Sequence, residues 1–592
     1  MKAPRRAPPL AALLAALVAC GHTPRPAAPA AGLPPAQLAP TAAATFTHFA
    51  VAADHPEASL AGAEVLAAGG TAADAAAAVM LALGVVSPAS SGLGGGGFAL
   101  YYRASDRSVT FLDFRERAPA AATPTMLARP PAPAAAPGAP PPPPRAMGPS
   151  VGVPGEPRGI EELLRRFGSL DRARIAAPAV RLAEQGFTPS EHMAAISQRF
   201  VPALRRDPLG RTWVPEGVDG IRAGVPLRNP ALADTLRTFA AQGAAPFYEG
   251  PIAEEIVRAA RGAGGVLTAD DLRGYRVTER APLEGTRYGH RWVTAPPESA
   301  GGYTLLASLA LMERWVPAAA DAADEADLLH ALAESWRGPF VDRARYFGDP
   351  DFVRVPVDAL LAPARVAARA ALFDRAHARP SMTYDLPLPA GPATAPAAVP
   401  PGTGTSHLCV VDAEGNVASV TTTVNIPFGA GVSVGGFWLN DELDDFTDPS
   451  APPGPVPTSD TNLPAPGRRP VSTMTPTIVF DGALPSLCIG GSGGTRIVTA
   501  VTQAAWRAVV LRAAVGEAVA HPRVHQAASP EALSAEADVP EATRAALNAR
   551  GHAVEPLRFG AIVQAIRIVR RAQGVTLEAA SDPRKGGRPA GR

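Results

Sequence analysis

The residues from Thr405 to Asn425 carry the pattern in this sequence most able to do chemistry. Ser406 to Val411 and Val417 to Val424 are β-prone runs separated by Asp412-Ala413-Glu414-Gly415-Asn416, a turn composition. A three-residue loop centred on Glu414, with Gly415 in the left-handed position, sets Thr405 across from Thr423. Facing Cβ atoms in such a pair lie about 4.5–5.5 Å apart, within hydroxyl hydrogen-bonding reach. Side chains alternate along a strand, so Thr405, Thr421, Thr423 and Asn425 share one face. By spacing alone this is either a solvent-facing threonine ladder or a reactive cluster. Gly402-Thr403-Gly404 lies just upstream, a backbone without Cβ obstruction that can present a carbonyl to the Thr405 hydroxyl. Attack on that carbonyl, followed by ester hydrolysis, leaves Thr405 with a free α-amine. Such an amine serves as general base for its own hydroxyl.

The elements around this hairpin are of mixed type. Asp54, with Glu57 three residues on, is expected to cap a helix that stops at Gly69-Gly70. Thr71 caps an alanine-rich helix from about Ala72 to Leu83, with Asp74 in its first turn. Helical periodicity recurs at Ile160 to Phe167, Ile175 to Gln185, Ala231 to Ala241, Ala253 to Ala260, Ala326 to Tyr346 and Arg496 to Ala514. Gly97 to Tyr102, Val109 to Phe114 and Thr477 to Phe480 read as further strands. Helices dominate the first 400 residues and strands cluster around 405 to 490, which two sheets covered by helices would accommodate. Low-complexity stretches at His22 to Ala43, Ala118 to Pro149, Leu386 to Gly404 and Asp448 to Arg469 read as a tether, a surface insertion, a linker and a loop.

At 592 residues, 47% hydrophobic and 18% charged, the chain is globular with a large core. A formal net charge of +1 gives no electrostatic case for nucleic acid. Lys2, Arg5 and Arg6 precede an apolar run from Leu10 to Ala19, too short to span a bilayer and of signal-peptide length. Leu17 to Cys20 is similar to a bacterial lipobox, so an exported protein lipid-anchored at Cys20 is expected, ahead of an ordinary signal cut near Gly21. Cys409 and Cys488 sit in apolar strand-like runs and are read as buried free thiols in preference to a disulfide. No His/Cys/carboxylate cluster has metal-ligand spacing, so neither a metal nor a cofactor is expected.

Thr405-Ser406-His407, Asp412, Gly415-Asn416 and Thr421 to Asn425 resemble the start of the small subunit of the γ-glutamyltransferases. Asn440 to Phe446 (NDELDDF), RPVSTMTPT ending at Thr477, Gly490 to Arg496 (GGSGGTR) and Ala580 to Arg584 (ASDPR) resemble the same family. So do Gly69 to Asp74, Ser91 to Phe98 (SGLGGGGF), Asp113 to Pro119 (DFRERAP), Val151 to Gly155 and Asp342-Arg343, all in the family's order.

The resemblance implies an α+β fold, the four-layer αββα sandwich of the N-terminal-nucleophile hydrolases. It implies a cut between Gly404 and Thr405, giving a heavy chain 46–404 and a light chain 405–592 that stay together as a heterodimer. Thr405 would be the nucleophile, Thr423 its hydrogen-bond partner, and the N–H groups of Gly493 and Gly494 the oxyanion hole. Losing one such donor costs about 3–4 kcal/mol of transition-state stabilisation. Arg115, Ser472 and Thr473 would hold the α-carboxylate of a γ-glutamyl donor; Asn425, Glu442 and Asp445 would hold its α-ammonium. Acceptors would be water, amino acids or peptides. Apart from the resemblance, Arg115 reads as a surface ion-pair partner of Asp113 or Glu116, and His407 as an interior histidine. The glycines from Gly92 to Gly97 lack the lysine of a phosphate loop and read as close backbone packing.

The sequence departs from the family at several points. Thr473 stands for the second serine of a Ser-Ser pair, Pro297-Glu298-Ser299 for a Pro-Ser run, and the proline-rich Asp448 to Arg469 fills the place of a lid. The rival readings are an amidase for another acyl group, such as a β-lactam side chain, and an exported binding protein that lost processing.

Overall fold

The chemistry at Thr71 shows how the elements start. In the computed structural model the Thr71 hydroxyl accepts the Asp74 N–H while the Asp74 carboxylate accepts the Thr71 N–H, a reciprocal cap that opens helix α1 (Ala72–Val86). Every residue of α1 is buried, as expected of a helix apolar on all sides. The structure describes residues 36–128, 148–317, 324–389, 394–396, 404–450, 456–557 and 560–592. The leader with Cys20, the run of five prolines, and Gly402 and Thr403 lie outside the described residues. Residues 37–38 and 43–46, placed by the sequence in the tether or at its end, form strands.

The strands that build the site are, in chain order, β1 (Ala50–Ala53), β2 (Gly96–Arg103), β3 (Ser108–Asp113), β4 (Gly404–Val411), β5 (Val417–Asn425), β6 (Thr477–Asp481), β7 (Leu484–Ser492), β8 (Ile562–Arg571) and β9 (Gly574–Ser581). One sheet runs Gln37–Leu38, Ala590–Gly591, β1, β4, β5, β2, β3, Thr278–Arg280, and every pairing is antiparallel. The second runs Ala43–Phe46, β9, β8, β7, β6, His290–Thr294, Leu283–Arg287, also antiparallel.

Two large cores follow from this layering. One joins the outer face of the first sheet to α1 and to helices Arg172–Gln185 and Pro230–Gln242. The other fills the space between the sheets and continues under α2 (Gly301–Trp315), α3 (Glu325–Tyr346) and α4 (Arg496–Val509). Helix, sheet, sheet, helix is the expected α+β αββα sandwich.

Three expectations need correction. Asp54 does not cap the first helix: His55 Nδ1 accepts the Glu57 N–H, and Asp54 is buried, bonded to Lys585 and Gln564. Arg496–Val509 ends before Ala514, where Val515–Ala520 starts a separate turn of helix. Cys409 and Cys488 are not free thiols. They are joined by a disulfide, with Cα atoms 6.0 Å apart. Cys409 is on β4 and Cys488 on β7, so the bond crosses the core from one sheet to the other. Burial in apolar runs is shared by free thiols and inter-sheet bridges, and only the stacking of β4 over β7 distinguishes them.

Candidate active site

The β4–β5 hairpin has the expected register: Val411 pairs with Val417 and Thr405 with Thr423. Gly415 takes a φ of +85° in the turn, and Asp412 closes the loop by accepting both the backbone and side-chain N–H of Asn416. The register slips between Gly404 and Thr405, so Gly404 pairs with Asn425. That bulge lies at the expected cleavage point. Thr405 and Thr423 hydroxyls lie 3.1 Å apart, and Thr423 donates to the Gly404 carbonyl at 2.9 Å. The Asn425 N–H also donates to the Thr423 hydroxyl, at 2.9 Å, with Asn425 held at a φ of +73°. All three threonines are buried, so the ladder does not face solvent. Thr421 turns to His407 Nδ1 at 2.8 Å instead. Burial holds His407 down at about 3, a neutral interior histidine as expected.

Glycines let β2 approach this hairpin. A Cβ on Gly95 would fall 1.9 Å from the Thr423 carbonyl oxygen, and one on Gly97 2.1 Å from that of Thr421. Gly94 gives its carbonyl to Asn440, whose amide also bridges to Gly152. The stretch is therefore a packing surface, as its composition suggested, and it fixes the turn Glu442–Asp445 beside Thr405.

One cavity gathers Arg115, Thr405, Thr423, Asn425, Glu442, Asp445, Ser472, Thr473 and Gly494 from the expected set, together with Arg343 and Thr495. Arg115 is not on the surface. It is buried, with Nη1 2.5 Å from Glu442 and Nη2 2.7 Å from Asp445, while Nε donates to the Pro470 carbonyl. Asp113 accepts the backbone N–H of Arg115, but its carboxylate pairs with the guanidinium groups of Arg280 and Arg469 and not with that of Arg115. Burial pushes Glu442 up to about 7 against the opposing pull of Arg115. Behind it, burial and the Glu442 charge hold Glu116 well above the usual carboxylate range.

The turn at Gly493 (φ +136°) and Gly494 (φ +63°) joins β7 to α4. Among the described residues neither N–H has an acceptor, and both precede a helix start that favours negative charge. The Thr473 hydroxyl donates to the Gly494 carbonyl at 2.9 Å, which ties the departure from Ser-Ser to the glycine turn. Ser472 accepts the Met474 N–H and pairs with Ser299. Thus Pro297-Glu298-Ser299 braces the segment that carries Ser472, whose N–H donates to the Glu298 carbonyl and whose carbonyl accepts the Ala300 N–H.

Sequence reasoning missed Lys585, whose Nζ donates to Asp54 at 2.6 Å, Ser90 at 3.0 Å and the Thr405 carbonyl at 3.1 Å. Lys2 and Lys585 are the only lysines in a chain that otherwise uses arginine, a signal that could have found it. It also missed a grouping of His330, Glu334 and His552, brought together across 222 residues. There the two rings bond to each other at 2.7 Å, and Glu334 already accepts from Arg337, Tyr384 and the Arg379 N–H. That is a hydrogen-bonded brace for α3.

An αββα sandwich with Thr405 near the start of an inner strand and an arginine-carboxylate cluster beside it has the fold of the N-terminal-nucleophile hydrolases. Residues 58–592 match the family model for gamma-glutamyltranspeptidase, and the chain belongs to that family. It is 34% identical over 510 residues to the glutathione hydrolase proenzyme of Bacillus subtilis, covering 85% of this chain and 84% of that protein. Identity to the Pseudomonas aeruginosa glutathione hydrolase proenzyme is 35% over 560 residues, 92% of this chain and 94% of the other. Among solved structures, the cephalosporin acylase of Bacillus halodurans superposes with a TM-score of 0.76 at 25% identity, covering 94% of this chain and 97% of that one. The γ-glutamyltranspeptidase of Helicobacter pylori superposes with a TM-score of 0.51 at 33% identity, over 55% of this chain and 92% of that chain.

Proposed function

We propose that the chain cuts itself between Gly404 and Thr405 and then works as a γ-glutamyltransferase and glutathione hydrolase through a γ-glutamyl ester of Thr405. The observation that carries this reading is the pairing of Arg115 with Glu442 and Asp445 in the cavity that Thr405 lines. A γ-glutamyl group ends in an α-carboxylate and an α-ammonium, and a site holding cation and carboxylates side by side complements both.

In the first reaction the Thr405 hydroxyl attacks the Gly404 carbonyl carbon, and the peptide bond becomes an ester. Thr423, touching both groups, stabilises the carbonyl oxygen and passes the hydroxyl proton to the Thr405 nitrogen as its bond to the Gly404 carbonyl carbon breaks. Water then hydrolyses the ester, leaving a Gly404 carboxylate and a Thr405 α-amine. In turnover that amine takes the Thr405 proton, and the hydroxyl attacks the γ-carbonyl of the donor. The oxyanion faces the Gly493 and Gly494 N–H groups, the donor's amine departs with the proton returned by the Thr405 amine, and water or an acceptor amine then attacks the ester and frees the Thr405 hydroxyl. Export, and anchoring at Cys20, belong to the same reading; the disulfide supports it, because such bonds persist in oxidising compartments.

The fold likeness to a cephalosporin acylase favours a second reading, an amidase for a non-amino-acid acyl group. Glu442 and Asp445 would then have no ammonium to meet. Purified protein should run as two fragments on a denaturing gel, the smaller beginning at Thr405, with Thr405→Ala intact. It should hydrolyse γ-glutamyl-4-nitroanilide and leave glutaryl-4-nitroanilide largely uncut. The reverse preference would establish the acylase reading, and an intact, inactive wild type would refute both.

A further inference from the structure

The short turn Pro583–Lys585 is capped by Asp582, whose side chain accepts the Arg584 N–H at 3.0 Å. Asp582 is itself fixed by Arg523 at 2.8 Å and by the Val563 N–H of β8. The turn delivers Lys585, 5% exposed, against the start of β4. Its Nζ donates to Asp54 at 2.6 Å and Ser90 at 3.0 Å, both before the proposed cut. It also donates to the Thr405 carbonyl at 3.1 Å, just after that cut. Gln564 holds the other oxygen of Asp54 at 2.7 Å. Replacing a buried ion pair by apolar groups is often neutral or stabilising, so fold stability alone does not account for a lysine here.

Lys585 is not among the residues that line the cavity; it meets Thr405 through the main chain. After the cut, the Thr405 nitrogen is no longer tethered to Gly404, and a grip on the carbonyl fixes how amine and hydroxyl are aimed. In extended backbone a residue's own nitrogen lies about 3 Å from its carbonyl oxygen, so the Lys585 ammonium stands within about 6 Å of the new amine. A like charge at that range disfavours the protonated amine. Only the neutral amine can take the hydroxyl proton. An α-amine ordinarily titrates at about 7.7–8.0, which would leave most of it protonated at neutral pH.

The other ionisable groups nearby do not cancel this bias. Burial holds His55 at about 4 and His192, on the helix Glu191–Ser197, at about 3, so both are neutral. Arg588 adds positive charge beside His55, and Asp582 is engaged by Arg523 and Arg584. On the cavity side Arg115 and Arg343 stand against Glu442 and Asp445, and His407 is neutral. Asp54 opposes Lys585, and among the described residues it reaches Thr405 only through the Lys585 ammonium.

We propose that Lys585 is a positioning residue of the mature enzyme: it clamps the Thr405 carbonyl and keeps the new α-amine in its neutral, proton-accepting form. This rests on the cleavage and acyl-transfer reading above. Lys585 touches neither donor nor acceptor and carries no proton in the reaction.

The test follows kcat for γ-glutamyl-4-nitroanilide from about pH 5.5 to 9.5, where the acid limb reports the base of the substrate-bound enzyme. Wild type is compared with Lys585→Arg, Lys585→Met and Asp54→Asn/Lys585→Met, the last removing the carboxylate that the single methionine variant leaves unpaired. Losing the cation makes the amine hold its proton to higher pH. The acid limb should therefore move up by about one pH unit in both methionine variants and stay near that of wild type in Lys585→Arg. Glu442 and the donor's own amine are common to all four proteins, so differences between limbs belong to the Thr405 amine. At the high-pH plateau kcat should fall about tenfold in the methionine variants, with KM within about threefold of wild type. All four proteins should still cut themselves, because the precursor has an amide at Thr405 and no amine to bias. If Lys585→Met does not fold, the double variant carries the comparison. An unmoved limb with a lowered kcat would make Lys585 a mere brace and overturn the proposal, as would a folded double variant that stays uncut. A wild type that stays uncut would instead overturn the reading on which the proposal stands.

Discussion

The Thr423 hydroxyl donates to the carbonyl oxygen of Gly404 at 2.9 Å and lies 3.1 Å from the Thr405 hydroxyl. One side chain thus touches both the electrophile and the nucleophile of the proposed cut. Thr423→Ala should slow fragment formation by about 100-fold or more, the usual worth of a positioned proton-transfer group. Thr423→Ser keeps the hydroxyl and should stay within about tenfold of wild type. A time course on a denaturing gel decides this, and equal rates for all three proteins would exclude a role for Thr423.

Glu442, raised to about 7 by burial, is ionised above that pH and neutral below it. A neutral carboxyl cannot hold an ammonium, so glutamate affinity should fall as pH drops through 7 and level off above it. Glu442→Gln removes this titration. Its affinity should be weaker at pH 8 and much flatter between pH 6 and 8, measured by inhibition of anilide hydrolysis with glutamate.

Gly95 has no room for a methyl group, because its Cβ would sit 1.9 Å from the backbone oxygen of Thr423. No flexible side chain can yield there. Gly95→Ala should destabilise by about 3 kcal/mol or more, or displace β5 and leave the precursor uncut. Thermal melting and the gel assay read the two outcomes separately.

The Cys409–Cys488 bond closes a segment with a separation of 79 residues across the two sheets. Its loss in a Cys409→Ala/Cys488→Ala double variant should cost about 2–4 kcal/mol of stability. The melting temperature should fall by several degrees, and dithiothreitol should lower that of wild type but not of the variant.

Local chemistry made much of this legible. The turn composition around Gly415 was enough to place Thr405 opposite Thr423, because register in a short hairpin follows from its loop. The Thr71 cap, and helix α3 to within one residue, were equally readable. The resemblance brought Arg115, Glu442 and Asp445 to one site, although spacing alone had left Arg115 on the surface. What could not be read depends on contacts between distant segments. β8 and β9 were missed, and so was α2, buried along almost all its length without an amphipathic signature. The disulfide and Lys585 under Thr405 arise only when two layers meet.

The order of strands in the first sheet has a consequence for the proposed cut. From its edge inward, the sheet takes a strand before residue 404, one after it, one before it, and then the two after it that form the hairpin. Ala590–Gly591 lies between Gln37–Leu38 and Ala50–Ala53, so the last residues of the chain are threaded between two of its earliest strands. Breaking one bond would not yield two detachable partners. The fragments would be woven together, and parting them would require tearing the sheet, so dissociation and unfolding become a single event. The uncut chain would fold as a unimolecular process, whereas a denatured pair would have to find each other again. Recovery after denaturation should therefore depend on protein concentration, and maturation would be a step the molecule can take only once.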